Sequence, residues 1–93
     1  MITHDLKTWP APFKEIWNGY KLFEFRKNDR NFKIGDFLNL REWDPKTERY
    51  SGRAIKAEIT YILKSGYGLP EGYCVMSLDP NFMHSEVIIY DGR

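Results

Sequence analysis

The chain of 93 residues has one cysteine, two histidines at opposite ends and a net charge of only +1 at pH 7. Each shortage excludes a class of protein. A single cysteine cannot build an intramolecular disulfide framework or a multi-cysteine zinc site. Cys74 lies in the apolar run Tyr73-Cys74-Val75-Met76, where a buried structural thiol is expected rather than a nucleophile. His4 and His84 carry no ligand spacing around them, so neither a metal site nor a histidine general base is expected. No apolar run reaches the ~20 residues of a membrane span, and Met1-Ile2-Thr3-His4-Asp5 lacks the apolar core of a secretion signal. The expected compartment is therefore the cytoplasm, with no membrane partner. A charge near zero removes any large electrostatic argument for long-duplex binding and leaves a short or locally contacted nucleic acid open. Neither Gly-x-x-x-x-Gly-Lys-Ser/Thr nor Gly-x-Gly-x-x-Gly occurs, and no cofactor is expected. Ser51, Ser65, Ser77 and Ser85 have no evident partner base.

What the chain does have is aromatic surface. Aromatic residues make up 16% of it, and Trp9, Trp17, Trp43, Tyr20, Tyr61, Tyr67 and Tyr73 lie near polar neighbours. A chain this short is one domain, residues 1–93, with a core built from large side chains. Some of the aromatics are expected at the surface as stacking platforms.

Periodicity predicts a strand over Thr3 to Thr8 and then a helix from Pro10 or Pro12 to Trp17, with prolines in its first turn and Asn18-Gly19 ending it. Further strands are predicted at Lys21 to Lys27, Phe37 to Trp43, Arg53 to Leu63, Tyr73 to Leu78 and Glu86 to Tyr90. In the fourth strand Ala57, Ile59, Tyr61 and Leu63 fall on one face. Between strands lie turns at 28–31 and 34–36, a charged loop at 44–49 and the glycine-rich loop 65–72. Several short strands and one early helix indicate an α+β domain dominated by a curled, mostly antiparallel sheet or small barrel.

The segment Lys21-Leu22-Phe23-Glu24-Phe25-Arg26-Lys27 alternates charged and apolar side chains, with charges of both signs. Period two puts Leu22, Glu24 and Arg26 on one face and Lys21, Phe23, Phe25 and Lys27 on the other, so Phe23 and Phe25 are expected toward a core and Glu24 and Arg26 toward something polar. A carboxylate between two cations, with donors free for a phosphate, carbonyl or base edge, is the pattern of a recognition site; a solvated strand face has the same spacing. Lys7 and Trp9 sit where the first strand meets the helix, and a ligand there meets both a helix start and an aromatic face. Tyr67, on the glycine-rich loop, suits stacking on an unpaired base.

The run Gly19-Tyr20-Lys21-Leu22-Phe23-Glu24-Phe25-Arg26 resembles the Gly-x-Lys-x-x-Glu-x-Arg signature of ASCH domains in the PUA-like superfamily. His4 to Pro10, Phe25 to Arg30, Leu40 to Pro45, Tyr61 to Leu63 and Gly68 to Tyr73 are similar to a small, mostly uncharacterised bacterial and phage branch of that family. The resemblance implies a PUA-like small β-barrel with the helix beside a cleft, and binding of RNA or a modified nucleotide or nucleoside there. Lys21, Glu24 and Arg26 would floor that cleft, Lys7 and Trp9 wall it, Arg30 reach a phosphate and Tyr67 stack on the ligand. Some ASCH proteins are acetylcytidine amidohydrolases whose proposed machinery pairs a lysine matching Lys21 with a threonine three residues on, where this chain has Glu24; others have been described as ribonucleases. An enzyme using Lys21, Glu24 and Arg26 as catalytic residues is thus the alternative to a binding domain, and a protein-interaction module with exposed aromatics is the second alternative.

Overall fold

In the computed structural model, which describes residues 1–87, side-chain alternation decides where the first strand lies. β1 (Thr3–Thr8) buries His4, Leu6 and Thr8 and exposes Thr3, Asp5 and Lys7. α1 (Pro10–Trp17) begins with a proline, whose missing N–H costs nothing at that position, and buries Phe13 and Ile16. It ends where Gly19 adopts φ +80, which lets the N–H groups of Gly19 and Tyr20 donate to the carbonyls of Ile16 and Glu15 at 2.9 and 2.8 Å. The strands β2 (Phe23–Lys27), β3 (Phe37–Asp44), β4 (Arg49–Leu63), β5 (Tyr73–Leu78) and β6 (Met83–Glu86) follow.

The strands hydrogen-bond in the order β1-β3-β4-β5-β2, with β6 added on β4. The β1–β3 pair is parallel and the other pairs are antiparallel. β4 is the spine: its residues 49–58 face β3, 53–56 also pair with β6, and 59–63 pair with β5. The fold is thus α+β, a mostly antiparallel sheet with one helix. The backbone ladder is an open path, since among the described residues β1 pairs with β3 alone and β2 with β5 alone. A side chain spans the remaining gap: Arg26 on β2 donates from Nη2 to the carbonyl of Lys7 on β1 at 2.8 Å, so the sheet curls until its two edges meet. No helix among the described residues is long and apolar enough to cross a membrane.

Leu6, Phe13, Ile16, Phe32, Leu38, Leu40, Ile55, Ala57, Ile59, Cys74, Met76 and Leu78 form one core. Cys74 is fully buried, and burial pushes its thiol pKa up, as suits a structural residue. Three sequence expectations need correction. On β2 the faces are reversed, with Glu24 only 3% exposed while Phe23 and Phe25 are 45% and 49% exposed. The carboxylate goes inside because two cations accompany it, as described below. On β4 the irregularity between Ile59 and Tyr61 shifts the alternation, so Tyr61 points outward and does not continue the face of Ala57 and Ile59. The charged residues expected in a loop supply the start of β4 at Arg49, because Asp44 pairs with Arg49 and Trp43 with Tyr50 across a tight turn. The strand expected at Glu86 to Tyr90 falls largely outside the described residues; β6 ends at Glu86.

At the far edge of the core, His4 Nε2 lies 2.9 Å from Asp36 Oδ2, and the N–H groups of Ile2 and Lys33 donate to the same carboxylate at 3.2 Å. The His4 hydrogen bond is the main cause that holds the Asp36 carboxyl below the usual carboxylate range. An unfolded Asp36 takes up a proton at a higher pH than the folded one, so this network's contribution is complete above the ordinary value and is lost as pH falls through it toward the lowered folded value. In thermal melts across pH, Asp36→Asn is expected to have a lower Tm than the parent at neutrality and a shallower further loss below about pH 4. Parallel curves for the two proteins would show that another group governs acid unfolding.

Candidate functional site

The reversed faces of β2 create the site. Glu24 is turned inward beneath the edge where β1 runs into α1, and its carboxylate is held from both sides. Lys21 Nζ donates to Oε1 at 3.1 Å and Arg26 Nε donates to Oε2 at 2.8 Å. Both cations have further anchors. Lys21 Nζ donates to the Phe23 carbonyl at 2.7 Å, and Arg26 Nη2 donates to the Lys7 carbonyl at 2.8 Å and to Thr8 Oγ1 at 3.3 Å. The cationic side chains remain 22% and 26% exposed while that of Glu24 is 4% exposed, so solvent sees donors above a buried acceptor.

This floor opens into a cleft of about 360 Å³ lined by Lys7, Thr8, Trp9, Pro12, Lys21, Phe23, Glu24, Phe25 and Arg26. Five of the seven residues expected from sequence, namely Lys7, Trp9, Lys21, Glu24 and Arg26, therefore meet in one place. The lining carries three cations against one carboxylate. Its rim is aromatic: Trp9 is 59% exposed, and Phe25 stacks on Tyr73 with ring centres 5.4 Å apart. Phe23 and Phe25 belong to the site, although sequence reasoning assigned them to the core. The cations flanking Glu24 were read in the sequence as a recognition pattern; what was not drawn from them is that they make that carboxylate, rather than the phenylalanines, the residue that can be buried.

Arg30 is not in this cleft. It lines a second, adjoining one of about 370 Å³ with Asp5, Leu6, Lys7, Arg26, Arg41 and Tyr50. Lys7 and Arg26 border both. Tyr50 was not singled out in the sequence, since it is an ordinary strand residue until β3 and β4 pair. Tyr67 is 96% exposed, with φ +55, and lines neither cleft. His84 is used structurally, its Nε2 2.9 Å from the carbonyl of Trp17 at the end of α1. Among the described residues no group of three or more His, Cys, Asp or Glu side chains gathers to hold a metal ion.

Chemically, the first cleft offers donors on either side of an acceptor, with flat apolar faces at its rim. Each carboxylate oxygen accepts from one cation and keeps a second lone pair for a further donor.

A family model described as a domain of unknown function, DUF3850, matches residues 3–78. The chain is also 40% identical over 59 residues to an "Uncharacterized 12.9 kDa protein in GpA 3'region" of Escherichia phage P2, covering 63% of this chain and 52% of the phage protein. The chain thus spans about half the length of that curated relative.

Proposed function

The chain belongs to the DUF3850 family, and from that premise we propose that it binds RNA or a modified nucleotide or nucleoside in the cleft between α1 and β2. The observation that carries the reading is the buried Glu24 clamped by Lys21 and Arg26 beneath an aromatic rim. A base edge brings donors and acceptors in a fixed plane, and a floor whose donors and acceptor are already positioned selects among edges. Stacking on Trp9, Phe23 or Phe25 would add about 1–3 kcal/mol per base. With a net charge of only +1, affinity must come from this local complementarity rather than from general attraction to a polyanion. We also propose the finer fold reading, an ASCH-like domain with a PUA-like barrel; the Arg26 bond that brings β1 and β2 together speaks for the barrel.

The test is a thermal-shift screen against modified nucleosides, nucleotides and short RNA and DNA strands, with mass spectrometry of every ligand afterwards. A ligand present at a hundred times its Kd should raise stability by about 2.7 kcal/mol. Glu24→Gln is expected to weaken that ligand's binding by at least about tenfold, because it replaces an acceptor with an amide that opposes Arg26 or Lys21. Full affinity in the variant would overturn the reading. The catalytic alternative is favoured by the 3.1 Å contact of Lys21 with Glu24, a donor and acceptor side by side at a solvent-facing cleft. Consumption of a ligand, abolished in folded Lys21→Ala, would put that alternative first. A panel without any response would favour protein docking on the exposed Phe25–Tyr73 stack.

A further inference from the structure

The second cleft holds most of its cations differently from the charged cluster at Arg53. Arg53, elsewhere on β4, is neutralised by Glu42 through bonds of 3.0 and 3.2 Å. In the second cleft the positioning groups are neutral. Arg30 Nη1 donates to the backbone carbonyl of Asp5 at 2.6 Å. The Arg41 guanidinium lies 3.7 Å from the centre of the Tyr50 ring, and Lys7 Nζ lies 4.4 Å from that of Trp43. Arg26, at the border, shares Glu24 with Lys21 and turns Nη2 to the Lys7 carbonyl. Carbonyls and rings fix Arg30, Arg41 and Lys7 without cancelling their charge. The one carboxylate in the lining, Asp5, accepts from the Asn39 side-chain amide at 2.9 Å and makes no ion pair with any of them.

Register makes the concentration of charge costly. Lys7 on β1 and Arg41 on β3 are direct partners across the ladder, and like charges so placed destabilise a sheet. The local geometry keeps them there. Opposite Glu42, β4 carries extra residues that include Gly52 at φ +96, a left-handed backbone that glycine adopts without strain, and beyond this bulge Tyr50 pairs with Trp43 and lies under Arg41. Four cations converge on one hollow while the whole chain carries a net charge of only +1.

We infer that this second cleft is a phosphate-binding site, distinct from the base-reading cleft and joined to it across Lys7 and Arg26. Planar guanidinium groups with unused N–H donors match phosphate oxygens, and the bound anion would relieve the Lys7–Arg41 repulsion. The phosphate site stands on its own geometry. That its phosphate belongs to the ligand of the first cleft, making that ligand a nucleotide or strand end rather than a bare nucleoside, rests on the function proposed above.

The two parts separate in an NMR titration that follows the arginine Nε–H signals with three probes: inorganic phosphate, uridine 5′-monophosphate and uridine. Inorganic phosphate at constant ionic strength is expected to shift Arg30 and Arg41 saturably, and an Arg30→Gln/Arg41→Gln double variant should weaken it by at least about tenfold. Arg30 is exposed and Arg41 half-buried, and the loss of their neutral anchors is offset by relief of the Lys7–Arg41 repulsion, so the variant is expected to keep a Tm close to the parent's in the absence of phosphate. Shifts that do not saturate, or that an equal concentration of chloride reproduces, would overturn the site. If phosphate saturates Arg30 and Arg41, and the monophosphate moves Arg26 as well while uridine leaves Arg30 and Arg41 unmoved, both parts hold. Saturation by phosphate with Arg26 silent toward both uridine probes and toward the panel of bases would uphold the anion site and overturn its link to a nucleotide.

Discussion

Phe13→Ala is expected to remove about 3–5 kcal/mol of unfolding free energy, the range for truncating a fully buried aromatic. Domains of this size hold only about 5–15 kcal/mol in all, so the variant should melt some tens of degrees below the parent. Phe13 has no exposed surface. Its ring packs against Trp17 with centres 5.6 Å apart and lies 5.4 Å from the Arg53 guanidinium. α1 has eight residues, too few to persist as a helix by itself, so the seat of Phe13 and Ile16 in the core is what makes the segment helical. The effect reaches the cleft because Trp9 and Pro12, at the start of α1, form one wall. Urea titration gives the stability loss, and Lys14→Ala, on the exposed face of the same helix, should change it by no more than about 0.5 kcal/mol. A loss in Phe13→Ala as small as that control would mean that α1 is not held by its buried face.

Glu24→Ala should give the second largest effect, and its two readouts should move in opposite directions. Removing one partner of a fully buried ion pair costs about 3–5 kcal/mol. Here the expected loss is nearer 2 kcal/mol, because Lys21 and Arg26 are partly hydrated and keep bonds to backbone carbonyls. At the same time the cleft loses its carboxylate and keeps three cations. Inorganic phosphate should therefore bind Glu24→Ala more tightly than the parent, while any ligand that donates a hydrogen bond to the floor binds more weakly. Melts with and without phosphate, beside a titration with whichever ligand the panel identifies, check both. If both affinities fall together, Glu24 serves only to hold the strand in place.

The ends of α1 and the limits of β1 and β5 were legible because each is written locally. Proline at the helix start, glycine after its end and strict alternation in Thr3–Thr8 need no distant partner to be read. What was misread depends on pairing. The beginning of β4 at Arg49 follows from its register with Asp44, and the outward turn of Tyr61 follows from an irregularity in the ladder with β5. Phe32 is buried at 1% exposure from a loop between strands, where no periodicity announces it. For the site, the identity of Lys21, Glu24 and Arg26 was legible and their orientation was not. Hydrophobicity alone sends phenylalanine inward, and only the proximity of two cations to one carboxylate reverses the choice. The second cleft was least visible, since Arg30, Arg41 and Tyr50 come from three separate segments that only the curled sheet brings together.

The bond from Arg26 to the carbonyl of Lys7 also governs motion. Two edges joined by a backbone ladder separate only by unzipping successive hydrogen bonds, whereas the tie from β2 to β1 is one guanidinium, which must give up its bonds to Lys7 and Thr8 to let go. Arg26 lines both clefts. A ligand that recruited this guanidinium would compete with the Lys7 carbonyl and Thr8 for its donors, while the Arg30 bond to Asp5 would still tie β1 to the segment after β2.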